Sequence, residues 1–121
     1  MIDNKDIINK IESLSKTKFR GSFHLNSRMK DYVKKSGINK IEQDAYEIIN
    51  KRIKPKSPKN DGKQTPMRQV HPVFIAQHAC GLCCRTCIER IHHIPKNREL
   101  TSNEVKYIVS FIIMWIKKEI K

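Results

Sequence analysis

The chain has 121 residues, with 25 Lys and Arg against 12 Asp and Glu, a net charge of +13 and a pI near 9.8. That length allows one domain with one modest core, and a charge of that sign and size disfavours basic partners and points to polyanions, nucleic acid first. The start "MIDNKDIINK" lacks an apolar signal core, and the longest apolar run, residues 107–116, is about half of what a bilayer crossing needs, so a cytoplasmic protein without a membrane partner is expected.

Ile7, Ile8, Ile11 and Leu14 recur at helical spacing and predict an amphipathic helix over about residues 3–16, with residues 1–18 reading as a peripheral N-terminal helix. It runs into the basic stretch "KTKFRGSFHLNSR". Asn26 or Ser27 can cap a second helix bearing Met29, Tyr32 and Val33, which Gly37 would end. Asn39 to Glu42 resembles a capping box ahead of Ile41, Ala45, Ile48, Ile49 and Ile53, a third helix. From Pro55 to Pro66 the sequence "PKSPKNDGKQTP" holds no apolar residue, so no regular structure is expected there. Thr101 and Glu104 make a second capping box, and Val105, Ile108, Ile112, Trp115, Ile116 and Ile120 run down a long final helix whose wide apolar stripe makes it the central one. A mainly α, small single-domain helical fold over residues 1–121 results, with a long basic loop at 54–69 and a Cys/His cluster at a helix start.

The basic excess is concentrated. Residues 51–70 carry seven basic side chains against the single acid Asp61. Lys54, Lys56, Lys59, Lys63 and Arg68, with Arg85 nearby in sequence, are candidate phosphate contacts, and a turn at Asp61-Gly62 would expose backbone N–H groups to an anion. The same loop read as plain solvated chain is the competing expectation.

All four cysteines lie in "HACGLCCRTC", residues 78–87. Clustered cysteines in a reducing compartment serve metal or redox chemistry more often than disulfides. A helix over 82–93 would put Cys83, Cys84 and Cys87 on one face. Two abutting C-x2-C units cannot easily aim four thiolates at one tetrahedral ion, so Cys84 or Cys83 with Cys87, completed by His78 and by His92 or His71, is the preferred ligand set for Zn2+. An iron–sulfur cluster is the weaker alternative, since ferredoxin spacing is absent. Buried thiols packing as small apolar groups remain a third reading. Redox chemistry at "CGLC" lacks a preceding βαβ unit, and a zinc deaminase would need Glu where the chain has Cys80. Were the protein an enzyme, Asp61 as base or metal ligand, Lys63 as phosphate electrophile and His71 or His78 as acid/base are the catalytic candidates.

The stretch 60–100 contains "NDGKQTPM", "HPVFIAQHA", "CCR" followed by Cys87, then His92, "IPK" and "REL". In these motifs the chain resembles a bacterial and phage family known as domain of unknown function 4186, and the resemblance covers most of the sequence after about residue 19. The resemblance brings no activity or substrate. It implies Cys at the positions of Cys83, Cys84 and Cys87 and His at those of His78 and His92, a hydroxyl residue where this chain has Cys80, a Trp where it has Ile91, and a Gly where it has Asn97. A site that depended on Cys80 would therefore be peculiar to this chain.

The leading expectation is a zinc-binding protein with a basic surface that contacts nucleic-acid phosphates. Two alternatives stand beside it: a metal-assisted hydrolase or nuclease acting on phosphodiesters or nucleotides, and a protein–protein interaction module in a bacterial or phage context.

Overall fold

A computed structural model describes residues 4–121. Six α-helices and one short 3-10 turn make up its regular structure, with no strand among the described residues: α1 (Asn4–Ser15), the 3-10 turn (Arg20–Ser22), α2 (Ser27–Ser36), α3 (Ile38–Arg52), α4 (Pro72–Cys80), α5 (Arg85–His92) and α6 (Ser102–Glu119). The expected mainly α class is what forms.

The apolar stripes read from the sequence become one core. Helix α6 packs against α1, α3 and α4, and its Ile108, Phe111, Ile112 and Ile116 are wholly buried together with Ile41, Ile49 and Ile53. Burying a side chain of that size stabilises by roughly 1.5–3 kcal/mol, so these contacts dominate the fold. Helix α1 joins the same core through Ile7 and Ile11, and Lys10 Nζ donates to the Ile91 carbonyl at 2.6 Å. Residue 3, where the first helix was expected to begin, lies outside the described residues.

Helix starts follow local chemistry. Asn26 caps α2, its side-chain oxygen accepting from the Met29 N–H at 2.9 Å. Thr101 and Glu104 close the expected capping box on α6, and Arg98 grips both Glu104 oxygens at 2.8 and 2.6 Å. The capping box expected at Asn39 does not form. Gly37 both ends α2 and opens α3, so Asn39 already lies inside the helix, with no side-chain cap present. The single-residue joint displaces the start that the side-chain pattern suggested.

Helix α4 was not foreseen at all. All nine of its residues are buried, so "PVFIAQHAC" has no polar face to supply a period, which is the signature of a helix enclosed on every side. His71 caps it, with Nδ1 accepting from the Val73 N–H at 3.1 Å, and Pro72 occupies the first turn. Gly81 ends it in the left-handed region at φ 70, where a Cβ would also collide with the Ile91 side chain. Leu82 N–H then returns to the Gln77 carbonyl at 2.7 Å.

That stop corrects the expectation of one helix over 82–93. Cys80 closes α4, Cys83 sits in the turn, Cys84 is the N-cap of α5, and Cys87 lies in its first turn. His93, at φ 60, ends α5, and Asn97 adopts φ 71, a left-handed conformation that Asn tolerates.

Candidate metal centre

The short turn between α4 and α5 brings three sulfurs together. The Sγ atoms of Cys83, Cys84 and Cys87 all lie within 4.8 Å of one another. A tetrahedral ion with Zn–S bonds of about 2.3 Å needs sulfurs about 3.8 Å apart, so closure around an ion requires movement of only about 1 Å. The geometry follows from local structure: as N-cap, Cys84 accepts from the Cys87 N–H at 3.4 Å, which turns its sulfur toward the first turn of α5. Unpaired N–H groups at a helix start favour negative charge there.

An arginine from the other end of the chain completes the environment. Arg20 Nη1 donates to the His78 carbonyl at 2.7 Å and approaches Cys83 Sγ at 3.7 Å, while Nη2 reaches Cys87 Sγ at 3.4 Å. Burial works against its charge, but hydrogen bonds and attraction from the Cys83 and Cys87 sulfurs outweigh that and hold its pKa above the ordinary value. Sequence reasoning missed Arg20, because within "KTKFRGSF" nothing separates it from the neighbouring solvated cations.

The donors fit a soft or borderline cation. Without one, burial and neighbouring sulfurs push the Cys84 thiol up to about 12, so three adjacent thiolates need a cation to exist together. Three thiolates on a divalent ion would leave one negative charge, which the Arg20 guanidinium beside Cys83 and Cys87 is placed to match.

The other sequence candidates fall in different places. Cys80 is buried in the core and apart from the three sulfurs. His78 lies in the last turn of α4, its ring stacked on Phe23 at 5.3 Å, and its Nε2–H donates to the Thr65 carbonyl at 3.0 Å. That bond fixes Nδ1 as the unprotonated nitrogen, the arrangement in which metal-bound histidines are usually held. Burial lowers the His78 pKa and keeps the ring neutral. His92 is engaged twice: Nε2–H donates to the Cys80 carbonyl and Nδ1 accepts from Tyr107 O–H, both at 2.8 Å. His71 likewise uses Nδ1 on Val73 N–H and donates Nε2–H to Asp44 at 3.1 Å. None of His71, His78 and His92 joins the three sulfurs, and with its lone pair spent on a backbone N–H, His71 is not available as a base.

His92 makes its protonation state a stability determinant. Burial pushes its pKa down to about 4 against an ordinary 6.5. A histidine depressed in the folded state contributes stability fully above the unfolded value and loses it as pH falls from 6.5 toward 4, because the unfolded chain takes up the proton first. Between pH 7 and pH 5 the expected loss is about 2 kcal/mol. Urea denaturation at the two pH values should show a smaller loss in His92→Gln, and an identical loss in that variant would contradict the assignment.

The basic loop is fastened to the cysteine turn. Thr65 Oγ1 donates to the Cys83 carbonyl at 2.8 Å, Arg52 Nη1 to the Gln64 carbonyl at 3.1 Å, and Gln64 ties Asp61 and Gly62 into a compact turn. Lys56, Lys59, Lys63 and Arg68 are exposed, whereas Lys54 is half-buried with Glu99 3.6 Å from its ammonium. Asp61 and Lys63 stand in the loop, and Asp61 is not among the clustered metal donors.

Arg85 is the correction. Expected to meet phosphate, it is only 1% exposed and donates to five carbonyls, those of Ile53, Lys54, Pro55, Pro95 and Arg98, at 2.8–3.4 Å. Its guanidinium pins the start of the basic loop and the connection from α5 to α6 onto α5, and only its buried Nε–H is unpaired, out of reach of an outside anion. A basic residue beside the cysteines could not be told from a surface one by sequence, because its carbonyl partners are contributed by turns 10 to 32 residues away.

No helix among the described residues is long and apolar enough to cross a membrane. No solved structure matches the chain. The family described as Domain of unknown function (DUF4186) matches residues 8–117, which include the cysteine turn, the basic loop and all but the ends of the helical core. The chain belongs to this family, domain of unknown function 4186.

Proposed function

We propose that this protein is a small zinc-binding protein in which the metal fixes a basic loop that contacts nucleic-acid phosphates. Cys83, Cys84 and Cys87 would hold the ion as thiolates; His78, with Nδ1 unprotonated, lies outside the three-sulfur cluster and would have to move in as the fourth ligand, so that the zinc cross-links α4 and α5. The observation that carries this reading is the direct fastening of the loop to the site: Thr65 bonds to Cys83 through its hydroxyl and to His78 through its carbonyl. Zinc, turn and loop then form one unit. Lys56, Lys59, Lys63 and Arg68 are exposed on it and pair with no carboxylate among the described residues, beside a chain-wide excess of positive charge.

With His78 as fourth ligand the ion would have no open position for a metal-activated water, which is the structural role; three cysteines alone would leave one position open, as hydrolysis requires. Phosphate contact of this kind releases counterions, so affinity should fall steeply with salt, and Lys63→Ala should weaken binding for all sequences while reducing the slope of log K against log salt by about 1. Electrophoretic or anisotropy titrations over a salt series measure this. Binding that is indifferent to salt would contradict the reading.

A further inference from the structure

The turn 16–22 presents an aromatic ring that the core does not use. Phe19 is 52% exposed, yet it is not loose. The Arg20 guanidinium sits over its ring at 4.9 Å from the centroid, and Phe23 packs edge-on at 5.2 Å. Arg20 is itself held by the His78 carbonyl and the two sulfurs, and Phe23 by its stack on His78. The turn behind the ring is equally constrained: Gly21 N–H donates to the Thr17 carbonyl at 2.9 Å, and a Cβ at Gly21 would collide with the Ser15 carbonyl. One side of the ring is therefore buttressed by a fixed cation while much of its area meets solvent.

The surroundings have the character of a polyanion surface. Lys16 and Lys18, just before Phe19 in the chain, are exposed. The neighbouring residues 24–26 are tied to Gln69, whose Nε2 donates to the His24 carbonyl and whose Oε1 accepts from Asn26 N–H. That pairing joins the Phe19 turn to the end of the basic loop, where Met67 is 56% exposed and Arg68 and Arg28 are exposed beside it. Glu119 beside this surface is engaged, holding His24 and the Leu25 N–H, and Asp61 in the loop accepts from Gln64.

We propose that Phe19 is a stacking platform for an unpaired base, and that the protein's preferred partner is single-stranded nucleic acid whose backbone follows Lys16 and Lys18 toward Met67 and Arg68. The proposal rests on the phosphate-binding reading above and specifies its substrate class. An exposed, preorganised aromatic ring adds nothing to a duplex, whose bases are already stacked, but gives a single strand a sequence-tolerant anchor. Basic side chains supply the rest of the affinity.

The test uses the full zinc-loaded chain with a fluorescent oligothymidylate and a duplex of equal length, each titrated at low and at moderate salt. The expected result is tighter binding to the single strand, weakened about tenfold or more by Phe19→Ala with little change for the duplex, since base–aromatic stacking is commonly worth that much. Phe19→Trp should retain binding, and its indole emission should be quenched when the oligothymidylate is added. Equal, salt-sensitive binding of both nucleic acids with no effect of Phe19→Ala would overturn the platform and leave the phosphate reading standing. Failure to bind either nucleic acid, including the case where polyglutamate binds instead, would overturn the phosphate reading and the platform with it.

Discussion

Arg85→Ala is expected to destabilise the fold by about 3–5 kcal/mol, a large share of the 5–15 kcal/mol that holds a domain of this size. The guanidinium is buried and its N–H groups reach five backbone carbonyls drawn from two separate turns. Truncation leaves those acceptors without donors inside the protein, and charge-assisted bonds are the costly ones to lose. Arg85→Lys keeps the charge but not the planar fork, so it should recover part of the loss. Chemical denaturation of the three proteins measures this, and an alanine variant within about 1 kcal/mol of the parent would show that the carbonyls find water instead.

The second large effect is expected at the metal centre. Serine is itself a good helix N-cap, so Cys84→Ser should preserve the start of α5 while removing a soft ligand. With free zinc at about a thousand times its dissociation constant, linkage contributes about 4 kcal/mol to the folded state. Loss of the site should lower Tm by on the order of 10 °C or more. A chelator should bring the parent protein down to the same Tm and leave Cys84→Ser where it is. If chelation leaves the parent unmoved, the cysteines are only packed side chains.

Particular residues show where the sequence was readable. The helices with one polar face, α1, α2, α3 and α6, announced themselves through periodic apolar residues, isoleucines in all but α2, and through Asn26 and Thr101 as caps. Helix α4 did not, because complete burial erases the amphipathic period on which such reading depends. The cysteine cluster was legible as a cluster, and three of its four sulfurs do converge. Its local shape was not legible, since Gly81 breaks the run into a helix end, a turn and a new cap. The least readable partners were those set by distant chain: Arg20 is more than fifty residues from the sulfurs it contacts, and Arg85 is defined by carbonyls that no side-chain pattern encodes.

The most direct test of a zinc centre at Cys83, Cys84 and Cys87 is metal content, measured by elemental mass spectrometry on protein purified anaerobically without chelator, together with its visible absorption and thiol titre. Close to one zinc per chain, no visible band, and thiols that react only after chelation are the predicted result, with the zinc lost in Cys87→Ser. A protein free of metal whose thiols react at once, or one with the visible absorption of an iron–sulfur cluster, would contradict it.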